Sequence, residues 1–135
     1  MAASAEQATV AKLKATAAVN DAVDGRVYTV ADTQDAGAPA IVVTKLGAEG
    51  GSRLNGGRGL RRWTLQVDCY ADTEAAAQAL GAAVRDALAP GDSPAWRDLA
   101  AGVHGTFWED STAGITDDGV RLQSETFGVW FQPTA

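Results

Sequence analysis

The stretch RRWTLQVDCY, residues 61–70, constrains the fold more than any other part of this chain. Its apolar and polar residues alternate: one side carries Trp63, Leu65, Val67 and Cys69, and the other carries Arg62, Thr64, Gln66 and Asp68. Because successive side chains of a β-strand point to opposite faces of a sheet, this alternation predicts a strand with one buried face. Other elements of the chain must cover that face.

Four further strands are predicted. The segment PAIVVTKL, residues 39–46, is a β-branched run that follows a single proline, Pro39, and RVYTV, residues 26–30, resembles a short strand. Residues 103–108 and 119–132 predict a second strand pair. The acidic segment between them, residues 109–119, is expected to be a turn-rich loop.

The helices are predicted from caps and apolar periodicity. Residues 4–18 predict a helix that begins with a capping box, because Gln7 follows Ser4 by three positions. We expect a break at Asn20–Asp21 and a short turn that ends at Gly25. Residues 72–91 predict the clearest helix, with its small apolar residues on one side and Arg85 on the outer side.

The order of the elements predicts an α+β fold: a mainly antiparallel sheet, two longer helices packed on one face, and a long glycine-rich hairpin loop. A short additional helix is expected at residues 93–102, where a serine cap precedes a proline. The length of 135 residues suits a single domain spanning residues 1–135. Residues 47–60 are expected to be a mobile basic loop between the strands at 39–46 and 61–70.

Charge is distributed unevenly along the chain. The net charge of −6 and the pI near 4.6 argue against a general nucleic-acid binder. Residues 45–62 nevertheless contain one acid, Glu49, and five of the 11 basic residues: Lys45, Arg53, Arg58, Arg61 and Arg62. The chain is therefore predicted to carry a basic arm on an acidic body.

The glycine-rich segment does not match the phosphate-binding patterns. A P-loop that begins at Gly51 would need Lys and Ser or Thr where Gly57 and Arg58 stand. The segment also leads into a predicted strand, so no helix N-terminus is placed to hold a dinucleotide. Three interpretations stay open: a solvated arm, a nucleic-acid contact through its arginines, or an arm that orders against a protein partner. The absence of aromatic residues within the segment favours a protein contact or a solvated arm.

No constellation of catalytic residues is recognised, and we expect neither an enzyme nor a metal or cofactor site. Cys69 is the only cysteine and is expected to be buried as a small apolar residue. His104 is the only histidine, and a zinc ion would need more ligands than it and its acidic neighbours supply. The N-terminal residues lack the apolar run of a signal peptide or a membrane span.

The aromatic residues point to a contact surface. Most of them are expected in the core, but the segment FGVWF places Phe127, Val129 and Phe131 on one face of a strand and Trp130 on the other. If the first face is the core, Trp130 is exposed. Exposed aromatic side chains of this kind are typical of subunit contacts, so Trp130 is a candidate interface residue.

The order of segments resembles the tail-terminator, or tail-completion, proteins of long-tailed bacteriophages and gene-transfer particles. In that family a GRVY-like turn precedes a proline-led strand, and a later strand runs directly into an alanine-rich helix. The resemblance covers residues 8–90, and the matching positions are Gly25, Arg26, Val27, Tyr28, Pro39, Ile41, Val42, Val67, Tyr70, Ala71, Ala77, Leu80, Val84, Ala87 and Leu88.

The resemblance implies a structural virion protein, assembled in the host cytoplasm, that forms a hexameric ring on the end of the tail tube. Such a ring ends tube growth and provides the surface for head joining. Its partners would be further copies of itself, the tail tube protein and the head–tail connector, with no membrane and no specific nucleic acid. Arg53, Arg58, Arg61 and Arg62 are then the candidate contact residues of the loop.

Two alternatives remain open at the level of the sequence. One is another neck or head-closure subunit, which would also form rings but would bind on the portal side. The other is a small nucleic-acid-binding module that uses the same arginines, for which salt-dependent retention on DNA would be expected.

Overall fold

The computed structural model describes residues 4–29, 39–49, 60–90, 95–116 and 119–132. Three α-helices and five β-strands lie within these residues. In chain order they are α1 (Ala5–Ala15), α2 (Ala17–Val23), β1 (Val27–Thr29), β2 (Ala40–Glu49), β3 (Arg61–Ala71), α3 (Glu74–Leu88), β4 (Val103–Ile115) and β5 (Arg121–Phe131). The predicted α+β class is confirmed.

The five strands form one mixed sheet in the order β1-β2-β3-β5-β4. β2 and β3 pair antiparallel, as the predicted hairpin requires, and so do β3 with β5 and β4 with β5. β1 instead runs parallel to β2, with Val27 opposite Ile41. Residues 30–39 lie between these two strands in the chain.

The core lies on one face of the sheet. Val67 of β3 pairs with Val43 of β2 and with Glu125 of β5, so these side chains share a face. The apolar side chains of that face are buried against Leu13, Val19 and Val23 of the first two helices and against α3. The alternation predicted for residues 61–70 is confirmed, because Leu65, Val67 and Cys69 are all fully buried.

Helix α3 begins at a capped residue and packs through one stripe. The Thr73 hydroxyl accepts a hydrogen bond of 3.1 Å from the Ala76 amide, and the helix ends before Pro90, which lacks an amide donor. Leu80, Val84 and Leu88 are buried. Each contributes roughly 1.5–3 kcal/mol by leaving water.

The first helical segment breaks earlier than predicted. The Ser4–Gln7 capping box is present, with both hydrogen bonds at 3.1 Å. The predicted break at Asn20–Asp21 is wrong, because the chain leaves helical geometry at Thr16 and both residues lie inside α2. The Thr16 hydroxyl donates to the Lys12 carbonyl at 2.8 Å, a side-chain hydrogen bond that competes with the helix backbone.

The segment predicted as a turn-rich loop at 109–119 is mostly strand. β4 continues to Ile115, and the turn is confined to the residues between Ile115 and Arg121. From Asp110 to Ile115 each residue of β4 pairs with one of β5. Most of these side chains are exposed, so β4 has no apolar alternation by which the sequence could reveal it.

Two further boundaries differ from the sequence prediction. In place of the short helix expected at 93–102, residues 95–102 contain a single 3-10 turn at Leu99–Ala101, and Ser93 and Pro94 lie outside the described residues. Residues 47–49 of the expected loop are the last residues of β2. Residues 50–59 also lie outside the described part of the chain.

Candidate assembly surface

The sequence nominated four arginines and one tryptophan, and the structure describes three of these residues. Arg61 and Arg62 begin β3, while Arg53 and Arg58 lie outside the described residues. Arg62 pairs directly with Trp130 of β5, so their side chains lie side by side on the sheet face opposite the core. Trp130 is 39% exposed.

Arg62 reaches across β5 to two residues of β4. Its Nη2 donates a hydrogen bond of 2.7 Å to Oε2 of Glu109. Its guanidinium also stacks on the Phe107 ring, with the guanidinium carbon 5.0 Å from the ring centroid. The charge of Arg62 is thus held against an aromatic ring and a carboxylate, which fixes a side chain that would otherwise be free to rotate.

A glycine on β5, the strand between β3 and β4, makes this arrangement possible. Gly128 pairs with Phe107, and a Cβ at position 128 would overlap the Phe107 ring and lie 2.6 Å from Oε2 of Glu109. A β-bulge between Trp108 and Asp110 inserts Glu109 as an extra residue in β4. Bulges re-aim side chains, and here the carboxylate comes to lie over Gly128 and beside Arg62.

We call Arg62, Phe107, Glu109 and Trp130 the open-face platform. Sequence reasoning found Arg62 and Trp130 but missed the other two residues. Most aromatic residues were expected in the core and only Trp130 was singled out as exposed, yet Phe107 is 36% exposed as well. A signal was available, since a glycine inside a strand pattern often marks close approach by another group, and Gly128 stands in the middle of β5.

A cluster of polar side chains lies on the sheet face opposite the core, where β3 pairs with β5. Asp68 was predicted on the polar side of β3, and it does lie there, but it is only 8% exposed. Its Oδ1 accepts hydrogen bonds of 2.6 Å from Ser124 and 2.7 Å from Gln66. These partners offset the cost of burying the carboxylate.

A second polar cluster lies on the core side of the sheet, beneath α3. The Glu125 side chain is 1% exposed, and its Oε1 accepts a 3.0 Å hydrogen bond from Nε1 of Trp108. Its Oε2 accepts from the Ser111 hydroxyl at 2.6 Å and from the Gln123 amide at 2.7 Å. A buried carboxylate is costly unless its oxygens are bonded in this way.

Helix α3 closes this cluster from above. Arg85 was predicted on the outer side of the helix, and its side chain is 42% exposed, but its guanidinium turns towards the sheet. Its Nε lies 3.6 Å from Oε1 of Glu125, and its guanidinium carbon lies 5.2 Å from the Trp108 ring centroid. The helix approaches closely because Gly81 has no side chain. A Cβ there would lie 2.6 Å from Cγ of Gln123.

Burial raises the pKa of the Cys69 thiol well above its ordinary value, and the charges of Glu125 and Asp68 add to the effect. Burial, followed by the charge of Asp68, also raises the pKa of Tyr70. His104 lies exposed on β4. Within the described residues, no group of three or more His, Cys, Asp or Glu side chains is placed to hold a metal ion.

No helix in the described part of the chain is both long and apolar enough to cross a membrane.

Comparison with known proteins identifies one family. The family model for Tail completion protein gp17 matches residues 7–117, which is most of the chain. Among solved structures, a chain of the structure titled "Virion of native gene transfer agent (GTA) particle" has a similar fold, with a TM-score of 0.61 and 21% sequence identity. The match covers 92% of this chain and 91% of that one. No curated protein matches this chain.

Proposed function

We propose that this chain, which belongs to the family of Tail completion protein gp17, forms a ring that caps the end of a virion tail tube, stops its growth and offers the surface on which the head joins. The family makes it a structural component of a virion tail. The ring-forming and capping roles go further than the family description, and they are proposed from the surface of the molecule.

The observation that carries the proposal is the open-face platform. Phe107 and Trp130 are more than one-third exposed although they belong to ordered strands, and Arg62 is held between Phe107 and Glu109. Exposed aromatic side chains beside a fixed arginine are typical of protein contact sites, because they bury a large area at a small cost in side-chain entropy. The platform is therefore assigned to a protein partner.

The place of the platform on the sheet links it to the basic segment. Arg62 lies at the beginning of β3 and pairs with Glu49 at the end of β2. Residues 50–60 connect these two strand ends in the chain. Arg53, Arg58 and Arg61 are close to it in sequence. Arg61 pairs with the buried Phe131, so its side chain starts from the face of β3 opposite Arg62. We therefore assign the basic residues and the platform to one end of the sheet, which faces the tail tube protein or the adjacent subunit.

The charge of the chain suits head-to-tail contacts between identical subunits. A closed ring joins one patch of each copy to a different patch of the next copy. The basic residues cluster at 45–62, whereas the remainder of the chain from residue 63 onward is acidic, so the two patches can attract each other. By the resemblance to tail terminators the ring is proposed to be a homohexamer, with the tail tube protein and the head–tail connector as its other partners.

The proposed function requires no catalytic residue, cofactor or metal ion. A second candidate is another head–tail connector subunit, such as a head-closure protein, which would use the same platform on the portal side. The two candidates differ in which particle part they bind. A nucleic-acid-binding module is the third candidate, and it predicts retention on DNA that falls steeply as salt is raised.

The test uses purified tail tubes that lack a terminator, incubated with gold-labelled protein and with free tube subunits. Capping predicts label at one end of each tube, in the shape of a ring, and tubes of fixed length in negative-stain images. Unlabelled tubes that continue to grow would overturn the proposal. Label on isolated portal complexes would then favour the connector subunit.

A further inference from the structure

We propose that a groove between the beginning of α3 and the β4–β5 hairpin receives the basic end of the next copy in the ring. This inference rests on the proposed function and names the surface on which the adjacent subunit docks. The occupant is a second copy of this chain, through the end of its sheet that carries Arg61 and Arg62.

The groove, which we call the α3 groove, is open to solvent and largely apolar. It has a volume of about 250 Å³, and its lining includes Glu74, Ala77, Ala113, Ile115, Arg121 and Leu122. Ile115 is 56% exposed, the highest value among the large apolar residues that the structure describes. Exposed apolar surface that lines a concave site is typical of a place where a protein partner docks.

The charge around the α3 groove indicates what kind of partner it fits. The two stretches that border it, residues 72–78 and 113–123, contain one base, Arg121, and four acids, Asp72, Glu74, Asp117 and Asp118. Asp72 and Glu74 are exposed, while Asp117 and Asp118 lie outside the described residues. A partner that carries positive charge beside an apolar side chain would complement this surface.

The opposite end of the sheet has these two properties. Residues 53–62 contain four arginines and no acid. Among the described ones, Arg61 is exposed, and Arg62 pairs with Trp130, which is 39% exposed. Positive charge and an exposed aromatic ring thus lie at one end of the chain's own sheet.

The two surfaces cannot meet within one copy. Arg61 is the first residue of β3, and Ala71 at the other end of that strand is level with Arg121 and Ile115 of the groove. From Arg61 to Ala71 the strand spans roughly 33 Å, at about 3.3 Å per residue. The basic end of one copy can therefore reach only the groove of another copy. Repeated contacts of this head-to-tail kind form a ring when the rotation between copies closes.

The experiment reverses the charge of each surface separately and then mixes the two variants. The acid-reversed variant is Asp72→Lys/Glu74→Lys, and the base-reversed variant is Arg53→Glu/Arg58→Glu/Arg61→Glu. Either variant alone brings like charges together at every contact of the ring. In an equimolar mixture, alternation of the two variants restores opposite charges at every contact, and a ring with an even number of copies, such as the proposed hexamer, permits it.

The measurement counts the ends of terminator-free tail tubes that carry a ring in negative-stain images. We expect each variant alone to need at least about tenfold more protein than the natural chain to occupy half of the ends, and the mixture to need no more than about threefold. The matched control is Asp21→Lys/Asp86→Lys, which changes the net charge equally at two exposed residues outside the groove lining. It should form rings as the natural chain does.

A further variant tests the apolar part of the groove without changing any charge. Ile115→Ser should raise the protein concentration for half occupancy at least about threefold, because the apolar contact is lost. Leu99→Ser is its control, since Leu99 is 52% exposed but lies outside the groove lining. Circular dichroism and melting curves establish that each variant is folded. If the acid-reversed variant does not fold, Ile115→Ser decides the test.

The outcomes separate this inference from the proposed function. Rings of the natural chain on tubes, together with rescue by the mixture, support both. Rings of the natural chain without rescue, or with normal assembly of the folded acid-reversed variant, overturn docking in the α3 groove and leave capping intact. An effect of Ile115→Ser no larger than that of Leu99→Ser overturns it as well. Absence of rings with the natural chain overturns capping, and the docking contact with it.

Discussion

Nη2 of Arg62 lies 2.7 Å from Oε2 of Glu109, on the far side of β5, although 47 residues separate the two in the chain. Arg62, which is held in place by this contact, therefore differs from the neighbouring Arg61, which is exposed. Arg62 is fixed within the open-face platform by Glu109 and Phe107. Its neighbour Arg61 is exposed, and no described ion pair holds it. The platform is expected to position a partner, and the exposed arginines are expected to attract it.

Gly128 should tolerate no side chain while Phe107 keeps its place. We expect Gly128→Ala to lower the free energy of unfolding by about 1–3 kcal/mol, because the new methyl group overlaps the ring. In a Phe107→Ala background the same change should cost much less. Urea unfolding of the four proteins gives the coupling between the two sites. Gly105→Ala is the control, as a Cβ there meets nothing within 4 Å; equal losses at both glycines would contradict the prediction.

Glu125 should be essential for stability. Glu125→Ala leaves the donors of Trp108, Ser111 and Gln123 without their acceptor beneath α3, so we expect a loss of about 3 kcal/mol. Denaturant unfolding followed by tryptophan fluorescence measures it. The exposed Glu74 at the start of α3 serves as the control, because Glu74→Ala should change stability by no more than about 0.5 kcal/mol. A similar small change at Glu125 would show that the cluster contributes little.

Stability should fall in mildly alkaline solution because of Cys69. Its pKa is raised in the folded protein by burial, so the unfolded chain releases the thiol proton first as pH rises above about 8.5. The unfolded state then binds fewer protons than the native state, and the free energy of unfolding decreases with pH. Melting curves between about pH 8 and 10 should show this decrease for the natural chain and a flatter dependence for Cys69→Ala. Identical slopes would exclude Cys69 as the cause.

Reversing the charge of the basic segment should block assembly without unfolding the subunit. The variant Arg53→Glu/Arg58→Glu/Arg61→Glu should keep its circular dichroism spectrum and melting temperature, since Arg61, the described member, is exposed. Its binding to tail tubes should fall at least tenfold, roughly 1.4 kcal/mol or more, because attraction becomes repulsion.

The control for that variant carries the same change of charge elsewhere: Lys12→Glu/Lys14→Glu/Arg97→Glu. It should cap tubes normally if position matters, and fail equally if only the net charge matters. Capping that survives reversal of the loop arginines would show that the contact is not electrostatic.

Trp130 should act as an anchor of the platform. Trp130→Ala removes a ring that is 39% exposed and borders Arg62, so the fold should survive while affinity for the tube drops about thirtyfold, near 2 kcal/mol. Sedimentation of labelled protein with tubes measures the affinity. Leu99→Ala, at a residue that is 52% exposed away from the platform, should bind normally. Unchanged binding by Trp130→Ala would remove the tryptophan from the interface.

Local chemistry was sufficient to predict several elements from the sequence. The capping box of Ser4 and Gln7 needs only residues three positions apart, and it is present. The alternation around Val67 predicted both the strand and its buried face, because a half-buried strand must place its apolar side chains on one side. The hairpin of β2 and β3 followed from two such strands adjacent in the chain.

Contacts between distant segments could not be predicted in the same way. Arg85 was predicted on the outer side of its helix, but its partner Glu125 lies 40 residues later in the chain and comes beneath it only when α3 packs on β5. Phe107 and Glu109 meet Arg62 only because β5 inserts between β3 and β4, and because Gly128 leaves room. β4 shows no apolar alternation because most of its side chains are exposed, and backbone hydrogen bonds to β5 hold it in the sheet.

By itself, the sequence determined the α+β class, the buried face of β3, the burial of Cys69 and the concentration of basic charge at residues 45–62, because each depends on the order and spacing of residue types. The tertiary structure alone decided which side chains form the open-face platform, how Glu125 is satisfied and which strands stand at the edges. These features depend on strand order, and strand order is set by the packing of the whole chain rather than by any local pattern.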